Sequence, residues 1–315
     1  MELLGLPGWT VRGCTLRDVA AILSVTTASD VVSLGEPDWT EEEVVATLTA
    51  PHTDPAADSW LVHGPDGAAL AWAYVDNPER GRRDHVEVYV VPSAGAPAFG
   101  PLLDLALARV AERARSGGHA SVALRAGAVA GETAYIAELT RRGFVFRKRH
   151  ARMTRVLTGD ERPVAGFGIR AVRADELPRF HEVLQTAFAD TPDFVPTSYS
   201  DWRAAVDALP SVRRDEWLVS EISGQITGVL QSADQGVERG EGWVKNLAVL
   251  RAHRKAGIGR ALLQTAFAIY AAKGRATAGL GVDLTNPTGA YHLYTSAGMT
   301  VAFAADSYER TVDAA

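Results

Sequence analysis

Residues 243–263 read Trp243-Val244-Lys245-Asn246-Leu247-Ala248-Val249-Leu250-Arg251-Ala252-His253-Arg254-Lys255-Ala256-Gly257-Ile258-Gly259-Arg260-Ala261-Leu262-Leu263. Val244, Leu247, Val249 and Leu250 give a strand its apolar content, and from Ile258 the apolar residues return at Leu262, Ala266 and Ile269, the spacing of a helix face. Between strand and helix lie Arg251, His253, Arg254, Lys255 and Arg260, with Gly257 and Gly259 bracketing Ile258. Glycines let a backbone turn tightly and approach a ligand closely, and the first N–H groups of a helix have no partner inside it. Free amides, a helix dipole and cationic side chains together make an anion site, suited to a diphosphate.

Three ligand classes compete for such a turn. A Walker-type loop needs Gly-Lys-Ser/Thr after a longer glycine spacing, which is absent. A dinucleotide fingerprint needs Gly-x-Gly-x-x-Gly/Ala; Leu262 stands at its third position, although Asp283 follows at a tolerable distance. The third class is coenzyme A. Arg254-x-x-Gly257-x-Gly259, directly after a strand, resembles the pyrophosphate motif of the GCN5-related N-acetyltransferase (GNAT) family. A merely structural turn would account for the glycines but not for the cations around them.

A second motif lies downstream. Leu280–Leu284 reads as a short buried strand, and Asn286 before Pro287 is a helix start that Gly298 would stop. Asn286, Ala290, Tyr294, Gly298 and Met299 resemble the family's second pattern, with Met299 in place of the usual Phe. Four-residue steps put Ala290 and Tyr294 on one helix face.

The resemblance implies a mixed α/β fold with a mostly antiparallel central sheet flanked by helices, and acetyl-CoA as cofactor. It implies that the backbone of Leu247, Ala248 and Val249 holds the pantetheine arm and the acetyl oxygen. Arg254, Lys255, Ala256, Gly257, Ile258, Gly259 and Arg260 would take the pyrophosphate, and Asn286 would bond the amide arm or cap its helix. Tyr294 matches the general acid that returns a proton to the leaving thiolate. Many family members carry a glutamate base four residues before the position of Leu247; here that residue is Trp243, and Glu241 at the strand edge is the remaining candidate. The implied reaction is acetyl transfer to the primary amine of a small molecule by direct attack in a ternary complex. An acetyl-CoA sensor without turnover and a nicotinamide-dependent oxidoreductase are the alternatives. Phe188, Asp190, Asp193 and Phe194 lie in the family's variable acceptor segment and would suit a cationic, partly apolar amine.

Length allows two domains: 315 residues, 47% hydrophobic and 22% charged, which is globular composition. A net charge of −6 argues against nucleic-acid or anionic-membrane binding, and no apolar run reaches spanning length. Cys14 is the only cysteine and the start lacks a basic region, so a cytoplasmic monomer or homodimer is expected. Landmarks recur about 155–158 positions apart: Trp60 with Trp217, Val91 with Val249, Gly143 with Gly298. The chain therefore reads as two tandem copies, residues 1–157 and 167–315, joined by the polar stretch 158–166. The first copy has lost the cofactor turn, because Ala96, Phe99 and Pro101 fall at the places of Arg254, Gly257 and Gly259, and Leu139 at that of Tyr294. It is expected to be degenerate and non-catalytic.

Overall fold

The computed structural model describes all residues except 1, 2, 4, 52, 78–80, 192, 193, 208–212, 286–288 and 315. In chain order its elements are β1 (Thr10–Gly13), α1 (Val19–Ser33), α2 (Glu41–Leu48), α3 (Pro55–Asp58), β2 (Ser59–His63), β3 (Ala69–Asp76), β4 (Arg83–Val90), α4 (Phe99–Ser116), β5 (Ser121–Val129), α5 (Thr133–Arg141) and β6 (Val145–Val156). There follow β7 (Ile169–Ala171), α6 (Leu177–Phe188), α7 (Tyr199–Asp207), β8 (Leu218–Ile222), β9 (Gln225–Ala233), β10 (Glu241–Val249), α8 (Ile258–Ala272), β11 (Thr277–Asp283), α9 (Ala290–Ser296) and β12 (Thr300–Asp313). The element order repeats once, as the landmarks imply, except that α3 has no α-helical counterpart among the described residues of the second series.

The compact units are not the contiguous halves of the repeat. One comprises Met1–Arg149 with Ala305–Ala315, and the other His150–Ala304. The reason lies in the strands. Residues 150–156 of β6 pair antiparallel with β11, while residues 305–313 of β12 pair antiparallel with β5. Each copy thus ends on a strand that the other copy's sheet uses.

In the first unit the strands run β1-β2-β3-β4-β5-β12, and in the second β6-β11-β10-β9-β8-β7. Each contains one parallel pair, and each opens at the same place. β4 pairs with β5 only over Arg83–Val86, and β10 with β11 only over Glu241–Val244, so the C-terminal half of each middle strand parts from its parallel neighbour. In β10 the break coincides with a bulge at Lys245 against β9. An extra residue on one strand of a pair bends it and interrupts the ladder.

The second unit's sheet is covered on both faces. α8 packs Ile258, Leu262, Ala266 and Tyr270 against Val244, Ala278 and Leu280. Phe180, Val183 and Leu184 of α6 meet Trp217, Val229 and Ala248 on the other side. The β8–β9 hairpin closes through Ser223 (φ 50°) and Gly224 (φ 77°), the paired left-handed residues that match strand twist.

Candidate active site

The open end of β10 and the start of α8 form the candidate site. Leu250 donates its N–H to Thr227 O at 2.9 Å, so in an alternating ladder Ala248 and Leu250 face β9. Leu247 and Val249 therefore turn their backbone groups into the gap left by β11. Ala248, expected to contact the cofactor arm, offers no backbone group to that gap.

After Val249 the chain makes a short turn in which Lys255 (φ 63°) and Gly257 (φ 92°) are both left-handed. Such alternation points successive amides into one concavity. None of the N–H groups of residues 255–260 donates to another described residue; Ala261, bonded to Gly257 O at 3.0 Å, is the first to do so. That donor set, with exposed Lys255 and Arg260 beside it, fits a diphosphate. The two glycines differ in role. Gly257 carries the positive φ, whereas a Cβ on Gly259 would stand 3.2 Å from Leu293 Cδ2, so the second glycine lets α8 approach α9.

Arg254 departs from expectation. Its guanidinium donates to Val249 O (3.0 Å), Ala187 O (3.0 Å) and Asp190 (2.8 Å), and is thereby committed to the protein. It braces the turn against the end of α6 instead of facing an anion. Asp190 is spent in the same clamp, since Arg251 pairs with it at 3.0 Å. Hydrogen bonding from Arg254, then the charge of Arg251, holds its carboxyl below the usual range. Asp190 is thus no counter-ion for an incoming amine. Asp193 and Asn286 lie outside the described residues, so the helix start expected at Pro287 does too; the described helix begins at Ala290.

Tyr294 stands on α9 among Ile258, Leu262 and Leu280, and is 9% exposed. Its hydroxyl bonds no described residue, and burial alone pushes its pKa up to about 12. It is a neutral phenol with an uncommitted proton. Glu241 is placed differently. It starts β10 at the end still paired with β11, is 5% exposed, and is held by Arg152 at 2.5 Å. The candidate base is therefore a structural ion pair away from the opening. Arg152 lies far from it in sequence, so local reading had no signal for the pairing. Asp283 accepts from Thr285 N (2.8 Å) and Oγ1 (2.5 Å), a local turn; with one parallel pair per sheet, the fold is not that of a dinucleotide-binding oxidoreductase.

The first unit shows the contrast. From Val86 to the start of α4 the chain is one residue shorter than from Val244 to the start of α8, because the bulge is missing. The register is corrected accordingly: Gly95, Ala98, Phe99, Gly100 and Pro101 stand where Arg254, Gly257, Ile258, Gly259 and Arg260 do. The amides of Gly95, Ala98 and Phe99 are consumed by Val91, Gly95 and Ala96 carbonyls, and Pro101 has none. Phe99 stacks on Tyr135 with ring centroids 4.9 Å apart. Leu139 does match Tyr294, each accepting at its carbonyl from the residue after a left-handed glycine, Gly143 or Gly298. Of the amides at the matching positions, three are spent within the turn and one is missing.

A splayed parallel pair with an amide-lined turn over it is the arrangement that the sequence resemblance implies for a transferase handling acyl-CoA. Residues 213–300 match the family model described as the acetyltransferase (GNAT) domain, and the structural neighbours of the whole chain are GNAT acetyltransferases, a tandem one among them. It is similar to the crystal structure of a GCN5-related N-acetyltransferase from Sphaerobacter thermophilus, with 26% identity, a TM-score of 0.78, and coverage of 98% of this chain and 97% of that one. It shares its fold with a tandem GNAT protein from the clavulanic acid biosynthesis pathway (15% identity, TM-score 0.64, 98% and 99% covered). Saccharomyces cerevisiae N-myristoyltransferase with bound myristoyl-CoA is also similar in fold (11% identity, TM-score 0.53, 98% and 81% covered). A comparison with curated proteins finds no match. The protein is an acyltransferase enzyme of a fold family that binds acetyl-CoA or another acyl-CoA. Among the described residues, no helix is long and apolar enough to cross a membrane.

Proposed function

We propose that the second unit transfers an acetyl group from acetyl-CoA to the primary amine of a small molecule, by direct attack within a ternary complex. The observation that carries this reading is the run of unpaired amides at residues 255–260 beside the opened end of β10. Bound acetyl-CoA would supply the acyl group as a thioester. The amides of Lys255–Arg260 would hold its diphosphate, reinforced by the α8 dipole. Leu247 and Val249 would present backbone donors to the carbonyl oxygen as charge develops there. Tyr294 holds a proton at its phenol oxygen, ready for a thiolate that leaves near pKa 8.5. β10 carries no carboxylate past its break, only Lys245, Asn246, Leu247, Ala248 and Val249, so proton removal from the amine falls to water and backbone carbonyls at the opening.

The test is thiol release from acetyl-CoA with a panel of small amines, read together with mass gain on the amine. An amine that gains an acetyl group, with turnover dependent on Tyr294, supports the reading. Binding of acetyl-CoA with no mass gain on any amine would favour a sensor.

A further inference from the structure

We propose that the first unit binds the ammonium head of a small organic amine in the gap between β4 and β5, with Glu87 as its counter-ion. This site lies outside the acetyl-transfer machinery and does not rest on the reaction assigned to the second unit.

The opening of the first sheet puts Glu87 at the first position of β4 past its pairing with β5. Its carboxylate stands over Gly127 of β5, where an added Cβ would meet nothing but Glu87 Oε1 at 3.5 Å and Oε2 at 3.9 Å. No described residue donates a hydrogen bond or a cation to it. The groups that face it are acidic: Asp76 and Glu132, whose charges add to the burial that pushes its pKa up to about 8. Glu132 is already engaged by Val129 N (2.7 Å) and Ser33 Oγ (3.1 Å), and so offers no relief.

The surroundings are aromatic as well as acidic. Tyr74 is paired with Glu87 across the β3–β4 ladder, and Tyr89 follows on the same face. Trp39 closes edge-on over them, with centroids 6.2 Å from Tyr74 and 5.6 Å from Tyr89. Aromatic faces beside an anion favour organic cations.

Two further polar groups are left without partners. Tyr135 is 1% exposed, and its buried hydroxyl makes no hydrogen bond, although it lies near enough to Glu87 and Glu132 for both to raise its pKa. Ser307 pairs with Gly127 across the β5–β12 ladder, and its buried Oγ is likewise unsatisfied. Unmade hydrogen bonds at buried groups are costly, and an ammonium with three donors would satisfy a carboxylate and two hydroxyl oxygens together. The cofactor half of this copy is closed by Phe99 on Tyr135, while its acceptor half has remained open and acidic.

The test is calorimetric titration of the full chain with n-butylammonium and phenethylammonium at pH 7, with n-butanol as the uncharged control. Because burial, then Asp76 and Glu132, push the pKa of Glu87 up to about 8, ammonium binding should release a proton to the buffer, and the heat should scale with the buffer's ionisation enthalpy. Saturable binding with proton release, weakened at least about tenfold in Glu87→Gln, is the expected result. Gly127→Ala, whose methyl meets only Glu87, should weaken it too and serves if Glu87→Gln proves unfolded by circular dichroism. Binding unchanged in the variant that folds, or no saturable binding of either probe, would overturn the proposal. Uptake by the second unit would survive both variants and is separately read by acetyl transfer.

Discussion

Two acids with displaced pKa values make predictions at the level of single residues. Tyr294 is protonated over the whole working range, because burial carries its pKa from 10 to about 12. Tyr294→Phe should lower kcat by about a hundredfold while leaving acetyl-CoA affinity close to wild type. Any alkaline fall in kcat/KM below about pH 9 should persist in the variant, since the phenol does not titrate there. An unchanged kcat would remove Tyr294 from the proton path. Glu87 titrates within reach of stability measurements. Its folded pKa, about 8, lies above the ordinary 4.5, so between those values the folded chain binds more protons than the unfolded one. Stability from this group is present at low pH and is lost as pH rises through that window. The unfolding midpoint of the wild type should therefore fall more between pH 5 and pH 8 than that of Glu87→Gln, as differential scanning calorimetry would record. Equal slopes would mean that Glu87 is already charged and paired in solution.

At the scale of elements, the strand–turn–helix at residues 243–263 was legible because its signals are local. Apolar spacing gives strand and helix, and glycines between cations give the turn. The roles of individual cations were not legible. Arg254 looked like an anion ligand, yet it secures the turn to α6 through Val249 O, Ala187 O and Asp190, partners supplied by a distant helix. Lys255 and Arg260 remain exposed at the amides. These positions predict different titrations. Lys255→Gln should weaken CoA binding modestly and flatten its salt dependence, the mark of a lost long-range charge. Arg254→Gln should weaken it by about tenfold with the salt dependence retained, because the turn itself loosens. Asp190→Asn should act in the same direction, and the double variant should be no worse than Arg254→Gln alone. Additive losses would show that Arg254 reaches the cofactor directly. Glu241 is a related case: position at the strand's edge makes it a candidate base, while the partner that engages it, Arg152, belongs to β6.

For the whole molecule, the duplication was legible and the exchange of strands was not. Recurring landmarks fix that one fold occurs twice, but alternation within a strand reports only which face is buried, never which neighbour it pairs with. The missing bulge had a similar effect on a smaller scale, shifting the apparent match of Phe99 and Pro101 by one position. The exchange has a consequence for any attempt to isolate the catalytic copy. A fragment of residues 167–315, cut where the sequence repeat divides, lacks residues 150–156, which pair with the full length of β11 and place Ala151 and Met153 in the core under α8. It also retains residues 305–313, whose Tyr308 and Val312 belong to the first unit's core. One sheet edge is then bare and two apolar side chains have no cavity, conditions that favour aggregation. That fragment should show no cooperative thermal transition, whereas residues 146–304, which keep β6 beside β11 and end with the second compact unit, should unfold cooperatively and retain affinity for coenzyme A. Differential scanning calorimetry and titration of the two fragments decide the matter. A cooperative transition in residues 167–315 would mean that β12 can take the place of β6, and that the exchange is a property of the joined chain and not a requirement of the fold.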